Sequence, residues 1–210
     1  MKSGGRQTYT MVARAQGMAA TRDRIVHAML RLALEQPYDD ITLGAVAQAA
    51  DVSYQTVFNH FDSKEGVAAA AADLLARQTG EARAKARPGD VNGAISVLVG
   101  EYERIGDANA RWAISAERLG SLAPRLEEAR AGHQSWLEHV FASSLPKAAA
   151  ARRRAIHALH VATDVYAWKL LRRDLRLSRA DTETIMVYLV NSVLNAGSAF
   201  RRARLARSAR

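Results

Sequence analysis

The feature that most constrains the fold of this chain lies between Thr42 and Lys64, where the sequence reads TLGAVAQAADVSYQTVFNHFDSK. Its first half places apolar side chains three and four residues apart, the spacing of one face of a helix. These side chains are Leu43, Val46, Ala47 and Ala50. Thr42 stands where a helix N-cap is expected, a position that favours Ser, Thr, Asp and Asn. We therefore predict a short helix that begins after Thr42 and ends at Ala50.

A second short helix is predicted after a tight turn. Asp51 lies in the turn, where a residue that tolerates a left-handed conformation is needed, and Ser53 is placed to cap the helix that follows. We expect Val57, Phe58 and Phe61 to pack inward and the polar residues around them to stay on the surface. Two short helices joined by a tight turn, with polar groups near the start of the second, form an arrangement that can place the second helix in the major groove of B-DNA. The stretch therefore predicts a helix-turn-helix, and an ordinary helical hairpin is the alternative.

The order of residues in this stretch favours the helix-turn-helix. The pattern T-L-x-x-V-A-x-x-A-x-V-S-x-x-T-V-F-N-H-F-x-S-K-E resembles the N-terminal domain of the TetR family of transcriptional regulators, closely over residues 21–67. The rest of the chain resembles the family in its length, its all-helical pattern and the WKLLRRDLRLS stretch from Trp168 to Ser178. The resemblance implies a dimer, most often a repressor, whose C-terminal domain binds a small molecule that weakens operator binding.

The same resemblance implies which residues contact DNA. Thr42 and Lys64 match family positions that hold phosphates, and the others match positions at the start of the reading helix or beside it. The implied DNA-binding set is Thr42, Ser53, Tyr54, Gln55, Thr56, Asn59, His60 and Lys64. Gln55 is the best candidate for reading a base, because its amide can pair with both N6 and N7 of adenine. For several of these residues, a solvated, capping or packing role is the alternative.

Two residues depart from the family pattern. Phe58 stands where the family often has Tyr, which removes a hydroxyl that could bond a phosphate. Asp51 stands where Gly is usual, which places a negative charge near the DNA. Neither departure is expected to break the fold, since Asp tolerates a positive φ. We expect Asp51→Gly to strengthen DNA binding.

Composition excludes several classes of protein. The net charge is +9, but residues 1–24 carry +4 and residues 201–210 carry +5, so the body of the chain is not a basic surface. The absence of cysteine excludes disulfides, Cys-ligated zinc, iron–sulfur clusters and thiol nucleophiles. No signal-peptide pattern opens the chain and no apolar run reaches about eighteen residues. We therefore expect a cytoplasmic protein with no membrane partner.

The sequence divides into three predicted segments with an all-α fold of about nine helices. Residues 1–20 lack a clear period and predict a flexible basic arm, either disordered or placed along DNA. Residues 21–67 form the DNA-binding domain, which opens with a helix that ends before Pro37. Residues 68–210 form a ligand-binding and dimerisation domain. Helices after the turn are expected at about 64–79, 90–106, 109–119, 124–145, 149–173 and 178–204.

The last two helices are predicted to form a homodimer interface. The first of them carries apolar residues on two faces, and such a helix needs two partners. One partner can be the core of its own subunit and the other a second copy, in a four-helix arrangement. The residues predicted for the interface include Trp168, Leu171, Met186, Val190 and Val193.

An effector cavity is implied by the resemblance alone. The aromatic and polar residues on helices that wall this cavity in the family are Tyr102, Trp112, His133, Trp136, Thr163 and Tyr166, and each is otherwise a core or interface residue. Mostly apolar walls with a few polar groups favour a flat or lipophilic ligand. The sequence does not identify that ligand.

No catalytic, cofactor or metal site is predicted. His157, His160 and Asp164 have helical spacing that could hold a metal, but no fourth ligand and no His-Glu-x-x-His pattern accompany them. No Gly-rich phosphate loop and no Ser-His-Asp set is present, so we do not expect an enzyme. Two alternatives to a ligand-released repressor are a helical carrier or enzyme with a vestigial DNA-binding head, and a nucleoid-type protein that binds DNA through its arginine tails.

Overall fold

The computed structural model describes the backbone of residues 4–118, 120 and 122–208, and the side chains of residues 14–118, 120 and 122–196. Every regular element in these ranges is a helix, which confirms the predicted all-α fold. The chain separates into two compact units, residues 1–76 and 77–210. The division falls somewhat after residue 67, where the resemblance placed the end of the DNA-binding domain.

The first unit contains the predicted helix-turn-helix and the helices around it. Its elements are α1 (Gly4–Glu35), a 3-10 turn (Tyr38–Asp40), α2 (Leu43–Ala49), α3 (Tyr54–Phe61) and the first part of α4 (Lys64–Arg83). The buried side chains of α1 include Ile25, Ala28 and Met29. Helices α2, α3 and α4 each contribute a buried valine to the same unit: Val46, Val57 and Val67, respectively. These residues form the apolar core on which the two short helices rest.

Helix α1 begins at Gly4, well before Thr21. This differs from the flexible arm that the sequence predicted for residues 1–20. The segment is rich in Ala, Arg, Met and Gln, which are good helix formers, so the helix extends towards the N-terminus. Residues 14–20 are exposed, and the side chains of residues 1–13 lie outside the described part of the chain. A contact between the arm and DNA therefore stays a prediction.

The second unit is built from the end of α4 and five further helices. They are α5 (Val91–Arg118), α6 (Ala123–Val140), α7 (Ala149–Thr163), α8 (Val165–Lys169) and α9 (Arg179–Ser208), with a π-helical turn at Leu170–Asp174. Helices α5, α7 and α9 pack around a core of side chains that includes Leu98, Leu159, Trp168 and Met186. None of the helices described is long and apolar enough to cross a membrane.

Helix α5 is continuous where the sequence predicted two helices separated near Gly106. The prediction was wrong because Gly106 serves packing: its Cα lies against the ring of Trp168, so a side chain does not fit there. The next residue, Asp107, accepts hydrogen bonds from Nε of Arg173 at 3.0 and 3.2 Å. The glycine therefore marks a close approach of α8 and not the end of a helix.

The single helix predicted for residues 149–173 is interrupted at Asp164, which has an extended backbone. Oδ1 of Asp164 accepts a hydrogen bond from the backbone N–H of Tyr166 at 2.9 Å and so caps α8. The carbonyl oxygen of Thr163 accepts a hydrogen bond from the hydroxyl of Tyr102 at 3.0 Å. These bonds satisfy groups that a continuous helix would use itself, which stabilises the break.

The residues predicted for the dimer interface lie mostly inside the second unit. Trp168, Leu171, Met186 and Val190 are buried in its own core, so the prediction that these four meet a second copy was wrong. Val193 is only partly buried against that core, so its place in the interface stays a prediction. Periodicity identified the apolar faces of these helices but could not distinguish the inner face from the outer one. Among the described side chains of α7 and α9, the large apolar residues left exposed are Val161, Tyr188 and Leu189.

The close approach at Gly106 predicts a loss of stability in Gly106→Ala. A Cβ atom there would lie 2.8 Å from Cε3 of Trp168 and closer still to Cζ3. Because this ring is buried in the core, we expect the variant to lose about 1–3 kcal/mol of unfolding free energy. Urea denaturation would measure it.

Gly132→Ala is the matched control, because Gly132 is also helical and a Cβ there meets no atom within 4 Å. We expect this variant to gain up to about 1 kcal/mol from helix propensity. A Gly106→Ala variant as stable as Gly132→Ala would contradict the packing argument.

Candidate nucleic-acid interface and effector site

Both short helices of the first unit have the caps that the sequence predicted. Oγ1 of Thr42 accepts a hydrogen bond from the backbone N–H of Ala45 at 3.1 Å, and Oγ of Ser53 accepts one from Thr56 at 3.0 Å. Asp51 has a φ of 53°, so the left-handed turn residue is confirmed. The helix-turn-helix geometry therefore follows from local side-chain chemistry.

Helix α3 presents a mixed surface to solvent. Val57 and Phe61 are buried as predicted, but Phe58 is 43% exposed and the prediction that it packs inward was wrong. Tyr54, four residues earlier, is 55% exposed. Since residues four apart share one helix face, the two rings form an exposed aromatic stripe along α3.

The polar residues predicted to contact DNA occupy different environments. Gln55 and Asn59 are exposed and joined by a hydrogen bond from Nε2 to Oδ1 at 2.8 Å. Thr56 is half-buried, and its hydroxyl pairs with that of Ser53 at 2.8 Å, so it contributes to the cap. His60 is half-buried with its ring near that of Phe61. The most accessible hydrogen-bonding groups at the start of α3 therefore belong to Tyr54 and Gln55.

Three cationic side chains hold the carbonyl ends of the short elements. Arg31 donates to the carbonyl oxygen of Ala49 at 2.9 Å, at the end of α2. Arg22 donates to that of His60 at 2.9 Å, at the end of α3, and its guanidinium lies 4.2 Å from the centre of the Phe61 ring. Positive charge at a helix C-terminus satisfies free carbonyl groups and complements the helix dipole. Sequence analysis assigned Arg22 to the charged tail and missed this role.

Lys64 is the third of these cations. Its Nζ donates to the carbonyl oxygens of Tyr38 and Ile41 at 2.8 and 2.7 Å, and it lies 4.1 Å from the centre of the Tyr38 ring. The hydroxyl of the buried Tyr38 donates to Glu65 at 3.1 Å. The lysine therefore joins the start of α4 to the 3-10 turn. The phosphate contact implied by resemblance stays a prediction.

A cleft of about 310 Å³ lies beside the turn between α2 and α3. Its lining residues are Asp23, Arg24, His27, Arg31, Ala49, Ala50 and Asp51. The cleft thus holds two carboxylates, Asp23 and Asp51, together with two arginines. Since these charges balance, we expect the repulsion between Asp51 and DNA to be reduced, and the gain in affinity predicted for Asp51→Gly to be smaller.

Four of the six predicted effector residues meet in the second unit. The hydroxyl of Thr163 accepts a hydrogen bond from Nε2 of His133 at 2.8 Å, and its carbonyl accepts one from Tyr102. The ring of Trp136 stacks on that of His133, with centres 5.9 Å apart. Tyr102, His133 and Thr163 are buried. We call this group, with Arg83 and Glu101, the polar cluster.

Arg83 and Glu101 were missed by sequence analysis because nothing in their spacing distinguishes them from surface charges. Arg83 donates to both carboxylate oxygens of Glu101, at 2.8 and 3.0 Å, and the Glu101 side chain is almost completely buried. A third bond runs from Nη1 of Arg83 to Nδ1 of His133 at 2.9 Å. Since an arginine only donates, this imidazole is neutral, with its hydrogen on Nε2.

Trp112 and Tyr166 are placed differently from the other predicted effector residues. Trp112 follows Tyr102 by ten residues on α5, a separation of about 15 Å along the helix. Tyr166 is exposed at the start of α8. His160 contacts Asp164 at 3.3 Å, whereas His157 is exposed, and no group of three metal-ligating side chains is found among the described residues.

Comparison with known proteins places the helix-turn-helix in a family. Residues 25–71 match the family model described as bacterial regulatory proteins, tetR family. The HTH-type transcriptional regulator AlkX of Mycobacterium tuberculosis (strain ATCC 25618 / H37Rv) is 44% identical over 50 residues. That stretch covers 24% of this chain and 24% of AlkX, so the likeness in sequence is confined to about a quarter of either protein.

Solved structures extend the likeness in fold to most of the chain. A tetR-family transcriptional regulator from Streptomyces coelicolor matches 87% of this chain and 83% of its own, with a TM-score of 0.74 and 14% identity. The multidrug binding protein EbrR, complexed with imidazole, matches 80% of this chain and 88% of its own, with a TM-score of 0.57 and 20% identity. At such identities the structures establish the fold alone. Residues 25–71 therefore carry a DNA-binding domain of the TetR family of regulatory proteins, and the chain as a whole shares the fold of solved tetR-family regulators.

Proposed function

We propose that the chain is a cytoplasmic homodimeric repressor that binds a palindromic DNA operator through α3 and releases it when a small molecule binds. The observation that carries this proposal is the start of α3: Tyr54 and Gln55 are exposed on a helix capped by Ser53 and held at its other end by Arg22. A short helix fixed at both ends, with exposed polar groups at its N-terminus, suits insertion into the major groove.

The chemistry of the exposed residues supports DNA as the partner. The hydroxyl of Thr42 uses a lone pair for its cap and retains its own hydrogen, which can be donated to a phosphate. The Gln55 amide can form hydrogen bonds with the edge of a base in the major groove. The exposed ring of Phe58 has no hydroxyl for a phosphate, but it can contact sugars or a thymine methyl group. Phosphate contacts would position the DNA-binding domain on the duplex, and Gln55 would supply sequence preference.

A second copy is the proposed partner of α7 and α9. Val161, Tyr188 and Leu189 leave apolar surface exposed on these helices, and Tyr188 is 70% exposed. Pairing this outer face with its symmetry equivalent would bury the surface in a four-helix arrangement. The two copies would then present their α3 helices to two half-sites with two-fold symmetry.

The polar cluster is the proposed site of effector recognition, a role that the family resemblance supports. A buried ion pair contributes little net stability, so the presence of Arg83 and Glu101 in the second unit favours a specific task. A ligand acts on operator binding only through a difference in affinity between two states. The coupling between the sites is expected to be about 1–3 kcal/mol, as in other allosteric proteins.

A gel-shift assay against the protein's own upstream region tests the proposed function. We expect a protein–DNA complex that an excess of scrambled duplex does not displace. Binding of the effector should reduce the amount of this complex. Non-specific binding alone would favour a carrier or enzyme with a vestigial head. Loss of the shift after removal of residues 1–13 and 203–210 would favour a nucleoid-type protein, because tail-driven binding depends on those charges.

The bonds of Lys64 predict a structural effect in Lys64→Met. The carbonyl oxygens of Tyr38 and Ile41 would lose their donor, so we expect the free energy of unfolding to fall by about 1–3 kcal/mol. Thermal denaturation would measure it. Lys85→Met is the control, because Lys85 is exposed, and we expect a change within about 0.5 kcal/mol. Equal stability of the two variants would show that Lys64 is not a structural residue.

The polar cluster predicts a stability that falls in acid. Burial, with a contribution from Arg83, lowers the pKa of His133 from 6.5 to about 3. Between these values the unfolded chain binds a proton that the folded chain does not, so stability decreases as the pH falls below 6.5. At pH 5 this histidine alone would remove about 2 kcal/mol relative to pH 7.5.

Urea denaturation of His133→Gln at both pH values tests this assignment. We expect the difference in stability between pH 5 and pH 7.5 to shrink in His133→Gln and to persist in His157→Gln, which alters an exposed histidine. An unchanged pH dependence in His133→Gln would mean that His133 is not kept neutral by its surroundings.

A further inference from the structure

Helix α3 carries two exposed amides that act as a pair. Nε2 of Gln55 donates to Oδ1 of Asn59 at 2.8 Å, one helical turn away. A pair at this spacing adds only a few tenths of a kcal/mol to an exposed helix, so it contributes little to the fold. Its chemical consequence is larger, because it determines which groups of Gln55 remain available to a partner.

A glutamine amide that is free to rotate offers two donors and an acceptor in one plane. When Asn59 accepts the N–H that points away from Oε1, Gln55 keeps its other N–H on the same edge as Oε1. This donor and acceptor match N7 and the N6 amino group of adenine. They do not match guanine, whose O6 and N7 both need donors.

We propose that Asn59 is a positioning residue that orients the amide of Gln55 and thereby gives the protein a preference for adenine at one position of each half-site. The inference rests on the proposed function, in which α3 enters the major groove. It extends that function, because Asn59 then sets specificity at a base that it does not touch. The cap at Ser53 and the contact of Arg22 with His60 hold the backbone that carries the pair.

Selection from a random duplex library, followed by affinity measurements on single-base variants of the selected site, tests the assignment. We expect the wild-type protein to prefer A·T over G·C at one position per half-site by about tenfold or more. In Gln55→Ala and Asn59→Ala the preference at that same position should fall to about twofold or less. The double variant should lose no more than Gln55→Ala, because the two residues act as one unit.

Asn59→Asp separates positioning from a merely structural role. A carboxylate accepts the same N–H from Gln55, so the preference for adenine should be retained. The added negative charge should weaken binding to every duplex alike. Gln48→Ala, which removes an exposed amide from α2, should leave the preference unchanged and is the matched control.

Three results would overturn the role assigned to Asn59 and leave the proposed function standing. They are a full preference for adenine in Asn59→Ala, a loss of base preference in that variant only at a different position, and a wild-type preference for guanine at the position read by Gln55. A wild-type protein that binds all duplexes alike would overturn the proposed function and the assignment with it.

Discussion

The first unit depends on how the backbone groups at the ends of two very short helices are satisfied. Helices α2 and α3 have seven and eight residues, too short for either to be stable alone. Thr42 and Ser53 take up N–H groups at their starts, and Arg31 and Arg22 take up carbonyl groups at their ends. The apolar core adds the burial of Val46 and Val57.

The second unit differs from the first because charged groups are buried within it. The ion pair of Arg83 and Glu101 is joined through His133 to the hydroxyl of Thr163, so each of these groups has a partner. A fully bonded network of this kind specifies one arrangement of helices, whereas a half-satisfied one destabilises the fold. The neutral His133 links α6 to the end of α4. Any ligand that enters this region must replace these bonds with its own.

Local sequence chemistry was sufficient to predict two short helices and the turn between them, and the family resemblance favoured a helix-turn-helix over an ordinary helical hairpin. The caps at Thr42 and Ser53 and the turn at Asp51 depend on residues close together in the chain, and the structure confirms them. Several errors have another origin, which is contact between distant residues. Gly106 was interpreted as a helix end because the residue that packs against it, Trp168, lies 62 residues later in the chain.

The same reasoning explains why the candidate sites were predicted only in part. Hydrophobic periodicity shows that the last helices have apolar faces, but only packing shows that Trp168 and Met186 face their own core. The family pattern indicated a phosphate role for Lys64, whereas the structure gives its amine two carbonyl partners within the first unit. Arg83 is an ordinary surface arginine by sequence, and its burial depends on Glu101 and His133.

The central claim is that two copies of the chain place their α3 helices in successive major grooves of one operator. Its most direct test is the affinity for a selected palindromic site with base pairs inserted between its half-sites. Because the grooves on one face of B-DNA repeat every 10–10.5 base pairs, or about 34–36 Å, five inserted base pairs should turn one half-site away. We predict that specific binding is lost with this insertion. Unchanged affinity would contradict the account, because each copy would then bind its half-site independently.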